Sequence, residues 1–64
     1  MTFYKVISRF FDNGRFTVKM QTYRDCLDRR PNNQSFEVPD SDIYHDWFDT
    51  LEEAQAFMKE AKEA

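Results

Sequence analysis

The chain has 64 residues, a net charge of −3, 41% hydrophobic and 17% aromatic side chains, and a single cysteine, histidine and glycine. A chain this short buries only about 60% of the surface its unfolded form exposes. Cys26 and His45 alone can form neither an internal disulfide nor a four-ligand zinc site to reinforce it, and Gly14 as the only glycine excludes a glycine-rich phosphate loop.

With Met1 at its start, the chain is expected to form one complete domain spanning residues 1–64, folded around its seven Phe, three Tyr and one Trp. No stretch approaches the roughly 20 apolar residues of a membrane span. Lys5 and Arg9 interrupt the apolar run that a signal peptide needs. The expectation is a cytoplasmic protein in which Cys26 stays a thiol and the sequon Asn33-Gln34-Ser35 is incidental.

Residues 3–11, FYKVISRFF, alternate and are rich in β-branched and aromatic side chains, which predicts a strand. Asp12-Asn13-Gly14 is a strong turn signal, and residues 15–24, RFTVKMQTYR, alternate again, so the two segments form a hairpin. Register decides the faces, because a one-residue slip inverts them. A three-residue loop with Gly14 in the left-handed conformation pairs Phe11 with Arg15. One face then carries Tyr4, Val6, Phe10, Phe16, Val18 and Met20, interrupted by Ser8. The other carries Lys5, Arg9, Arg15, Thr17, Lys19 and Gln21 among Phe3, Ile7, Phe11 and Tyr23. A two-residue Asn-Gly turn would mix Lys5 and Arg9 with the apolar residues of the second strand, so the first register is adopted.

Residues 25–41, with Pro31 and Pro39, read as a long loop anchored by Leu27, Phe36 and Val38. Residues 42–48, DIYHDWF, read as a third strand. Thr50-Leu51-Glu52-Glu53 is a capping box, and Leu51, Ala54, Phe57, Met58 and Ala61 recur at helical spacing, predicting a helix over residues 50–63. Glu52 and Glu53 near its start and Lys59 and Lys62 near its end suit the helix dipole. The predicted fold class is α+β: a three-stranded antiparallel sheet, made of the N-terminal hairpin plus the third strand, packed against one C-terminal helix. Phe48 leads into the helix and is expected inside, which puts Trp47 outside with Ile7, Phe11 and Tyr23.

Charge is unevenly distributed. Residues 1–31 carry seven basic and three acidic side chains, a balance of +4, while residues 32–64 carry two basic and nine acidic ones, a balance of −7. The asymmetry points to partners of opposite charge or to halves that complement each other within the fold.

Groups capable of chemistry are few. Cys26 and His45 are the only thiol–base pair, with neither an orienting group nor an oxyanion hole suggested nearby. Asp40, Asp42, Asp46 and Asp49 lie within ten residues but lack the glycine and terminal glutamate of a calcium loop. Ser8, Ser35 and Ser41 have no nucleophile-elbow motif. No catalytic residue, metal site or cofactor is expected.

What remains is surface, and aromatic and arginine clusters are what interface hot spots are made of. The expected function is a small non-catalytic protein-interaction module, an inhibitor or accessory factor of the phage or mobile-element type. Two candidate faces are assigned. An acidic face of Asp42, Asp46, Asp49, Glu52 and Glu53 could fill a basic groove. A sheet face of Ile7, Arg9, Phe11, Lys19, Tyr23 and Trp47 forms the second. A homodimer through an exposed sheet edge is compatible with either.

The alternative is nucleic-acid binding. Three strands followed by a helix that opens on Phe48-Asp49-Thr50-Leu51-Glu52-Glu53-Ala54 resembles the arm-type DNA-binding domains of phage tyrosine integrases, over the hairpin and Trp47–Ala54. The resemblance implies DNA contact by the sheet face, here Lys5, Arg9, Arg15, Thr17, Lys19 and Gln21. Against it, the sequence pI is about 4.9, whereas DNA-binding domains are usually basic.

Overall fold

A computed structural model describes residues 1–25 and 27–63, Glu63 by its backbone alone. The elements are β1 (Thr2–Phe11), β2 (Phe16–Arg24), β3 (Gln34–Val38), β4 (Ser41–Phe48) and α1 (Leu51–Glu63). All strand pairs are antiparallel, in the order β2-β1-β4-β3.

The sheet therefore has four strands, which overturns the expected three. The additional strand, β3, lies inside the predicted 25–41 loop. Its five residues are all exposed, so it buries too little to leave an alternating apolar signature, and the two prolines around it read as loop punctuation. The missed signal is Val38-Pro39-Asp40-Ser41. Val38 pairs with Ser41 across a two-residue turn, with Pro39 supplying a preset φ at its first central position. The predicted third strand is β4, and it pairs with β1 from Tyr4 opposite Phe48 to Phe11 opposite Ser41.

The first hairpin has the register that best sorts its side chains. The Phe11 amide donates to the Arg15 carbonyl (2.8 Å) and the Gly14 amide to the Phe11 carbonyl (3.0 Å), with Gly14 at φ +88°. Val6 consequently faces Met20 on β2 and Asp46 on β4. Because strand side chains alternate, the face holding Tyr4, Val6, Ser8 and Phe10 also holds Phe48, Asp46, Tyr44 and Asp42.

The helix packs on that face, against β1, β2 and β4 and not against β3. Val6 and Ala54 are fully buried, and Phe57 meets Phe48 with ring centroids 5.2 Å apart. Thr50 caps the helix, its Oγ accepting from the Glu53 amide (3.2 Å). The Glu53 carboxylate accepts from the Thr50 hydroxyl (3.0 Å), a variant of the reciprocal bond to the backbone amide that the sequence predicted. At the opposite end of the chain, the N-terminal ammonium binds Asp25 (2.8 Å), whose carboxyl it holds below the usual range by hydrogen bonding and charge.

Gly14 has open space where a Cβ would stand, so substitution there tests backbone conformation alone. Gly14→Ala should cost about 1–2 kcal/mol from the left-handed geometry. That corresponds to a fall of roughly 4–16 °C in Tm for a domain of this size. An unchanged Tm would show that the loop does not depend on that conformation.

Candidate functional site

The sheet's second face has no helix over it. Alternation from the pairing registers places Lys5, Ile7, Arg9 and Phe11 of β1 there, with Thr17, Lys19, Gln21 and Tyr23 of β2. β4 adds Ile43, His45 and Trp47, and β3 adds Gln34, Phe36 and Val38. All six residues assigned from sequence to the sheet face (Ile7, Arg9, Phe11, Lys19, Tyr23 and Trp47) thus share one side. No strand position on this side carries a carboxylate.

Side-chain contacts give the face a defined shape. Tyr23 and Trp47 pack with ring centroids 5.1 Å apart. The Lys5 ammonium lies 5.2 Å from the Tyr23 centroid and 5.5 Å from that of Trp47, within the range of cation–π attraction. The Tyr23 hydroxyl donates to the Gln21 side-chain carbonyl (2.8 Å). Arg9 lies over Phe11 (4.6 Å) and donates from Nε to the Ser41 hydroxyl (2.9 Å), which in turn donates to Asp40 (3.2 Å). This chain of bonds satisfies Ser41, which is buried.

Residues 27–33 lie at one end of the face. The Asn33 side-chain oxygen accepts from the Trp47 amide (2.8 Å), and Arg30 pairs with Asp49 (2.9 Å). Phe3, at this end, is 3% exposed. Phe36 and Val38 do not fold over the face as a loop; they extend it sideways in β3, at 43% and 37% exposure.

The five residues of the proposed acidic face fall into separate groups. Asp42 and Asp46 lie on the helix-covered side of β4. Asp49 is engaged by Arg30, Glu53 by Thr50, and Glu52 is exposed in the first turn of α1. Asp40, considered with them as a cation ligand, pairs with Arg9 at 3.5 Å. Among the described residues no group of three or more His, Cys, Asp or Glu is placed to hold a metal ion. Nor is any helix among them long and apolar enough to cross a membrane. Cys26 lies outside the described residues.

His45, the one histidine that could have served such a thiol as a base, packs its ring against Phe36 (5.1 Å). Burial, followed by the Lys5 charge, holds its pKa below the ordinary value, against an opposing pull from Asp46. Burial likewise pushes the Asp46 carboxyl up, with His45 acting the other way.

Two features escaped sequence reasoning. One is the enlargement of the sheet face by β3 with Phe36. The other is a groove on the helix side where Ser8, Phe10 and Tyr44 meet Phe57. Its signal was present in the Asp42-Ile43-Tyr44-His45-Asp46 alternation, which puts a tyrosine between two carboxylates on one face. No protein-family model, curated protein or solved structure matches the chain.

The His45 shift has a definite sign. Its folded pKa lies below 6.5, so the unfolded chain takes up the proton first as pH falls. Its contribution to stability is therefore full above the unfolded value and declines below it. Urea midpoints at pH 7.5 and 5.5 should show a smaller acid-induced loss in His45→Gln than in the wild type. Equal losses would show that His45 is not the source.

Proposed function

We propose that this chain is a non-catalytic interaction module, an inhibitor or accessory factor acting in the cytoplasm, that docks on a partner protein through the bare face of its sheet. The observation that carries the reading is the Lys5–Tyr23–Trp47 cluster at one end of a face without strand carboxylates. Trp, Tyr and Arg dominate interface energetics because they bring large rigid area together with polar tips. The surrounding Arg9, Arg15 and Lys19 favour an acidic partner surface. The molecule measures 38 × 24 × 13 Å along its principal axes. Its broad side is thus comparable with the roughly 800 Å² per partner of a standard interface.

One observation favours a second reading, single-stranded nucleic acid: every charged strand position on the face is cationic, and the exposed Phe36 and half-buried Tyr23 and Trp47 offer rings on which bases can stack. The carboxylates of the helix side project from the opposite face, because strand side chains alternate. Asp46 still acts on His45 from there and Asp40 pairs with Arg9, so Lys5, Arg15 and Lys19 carry the positive character of the face.

The test is capture of partners by the tagged chain with and without nuclease, repeated with surface variants. One stoichiometric protein should survive nuclease. Trp47→Ala should weaken its binding about 30-fold, as a hot spot does. Lys19→Glu, at an exposed position, should also weaken it, whereas Glu60→Lys on the helix should change it less than about threefold. Loss on nuclease treatment, with affinity falling steeply in salt, would replace the protein partner by nucleic acid. Binding insensitive to both sheet-face variants would remove this face from the reading altogether.

A further inference from the structure

The helix covers its side of the sheet unevenly. It seals Val6 and half-buries Phe48, but towards the first hairpin turn Phe10 and Tyr44 remain 45% and 41% exposed. Their rings meet edge-to-face, 5.8 Å apart at 78°, and with Phe57 they wall an open groove of about 450 Å³. Asp42 and Asp46 flank Tyr44 on the same face of β4 and also line it, and no cationic side chain among the described residues does. Neither carboxylate takes part in an ion pair among the described residues.

The groove floor adds an independent observation. Ser8 is 3% exposed, and its hydroxyl has no hydrogen-bond partner among the described residues. A buried hydroxyl left unsatisfied costs about 1–3 kcal/mol, and native proteins satisfy nearly all such groups. This one lies among the residues that line an acidic aromatic groove.

We propose that the groove receives an arginine side chain of a partner protein. A guanidinium is flat, stacks on aromatic faces and is more weakly hydrated than an ammonium, and its five N–H donors reach several acceptors at once. Phe10 and Tyr44 offer the stacking surface, Asp42 and Asp46 the charge, and Ser8, a lining residue whose hydroxyl is shielded from solvent, an acceptor on rotation into the groove. The methylene stem lies along Phe57 and Ala61, as long cationic side chains do on apolar surface. Asp42 and Asp46 repel anionic occupants. This groove is on the opposite side of the sheet from the docking face above, so the two assignments stand or fall separately.

The probe is N-acetyl-arginine methylamide, titrated into the full chain at constant salt and followed by two-dimensional NMR, with the uncharged citrulline analogue as control. Saturable shifts should centre on Ser8, Phe10, Tyr44 and Phe57, with a Kd on the order of millimolar for a lone side chain. Asp46→Asn should weaken binding about tenfold or more, the loss of a charged hydrogen-bond partner. The exposed Asp42→Asn should act in the same direction should Asp46→Asn disturb the fold. Ser8→Ala should bind more weakly while leaving the free protein as stable or more so. The proposal is overturned if citrulline binds equally, if neither Asp variant weakens binding, or if the shifts follow exposed acids such as Glu52 and Glu60. It is also overturned if the groove signals depend on protein concentration without the probe, which would assign the groove to a second copy of the chain.

Discussion

The structure depends on the register of β1, which is hydrogen-bonded on both sides. Val6 faces Met20 across one pairing and Asp46 across the other, so the position of this strand decides which side of the sheet each residue of three strands occupies. The Asp12-Asn13-Gly14 loop fixes one register through Gly14 at φ +88°. The other is fixed by burial: Phe48 must share a face with Val6 to meet Phe57 under the helix. A slip of one residue in either pairing would put Lys5 and Arg9 beneath α1 and Val6 in water.

That arrangement turns a charge asymmetry along the chain into one across the sheet. Lys5, Arg9, Arg15 and Lys19 come from the basic half and collect on the bare face. Asp42 and Asp46 come from the acidic half and collect beside the helix. β4 joins the two regimes, since its alternate residues contribute His45 and Trp47 to one side and Tyr44 and Asp46 to the other. The bare face combines rings with strand charges of one sign, whereas the groove on the other side combines rings with two carboxylates, combinations suited to oppositely charged groups.

A helix about 10 Å across cannot cover a sheet whose four strands lie about 4.8 Å apart. Here it protects the β1 centre and leaves β3 untouched. The core is accordingly small, with Phe3, Val6 and Ala54 its buried apolar members among the described residues. The uncovered remainder is most of one sheet face and the groove beside Phe10 and Tyr44, the apolar surface that a chain of this length is too short to bury.

By itself the sequence determined whatever rests on local chemistry and period. Gly14 and its neighbours dictate the first hairpin, Thr50 and Glu53 the start of the helix, and strict alternation the division between Trp47 and Phe48. The six residues of the sheet face were legible for that reason, since period and turn geometry suffice to put them on one side. Tertiary structure decided what depends on neighbours distant in sequence. β3 is a strand because β4 offers it an edge, not because five exposed residues prefer one. The acidic cluster was scattered because Arg9, Arg30 and Thr50 claimed Asp40, Asp49 and Glu53. The groove exists because α1, which meets β4 where Phe57 packs on Phe48, leaves Phe10 and Tyr44 uncovered. No local pattern specifies where a helix axis will lie over a sheet, since that follows from packing of the whole.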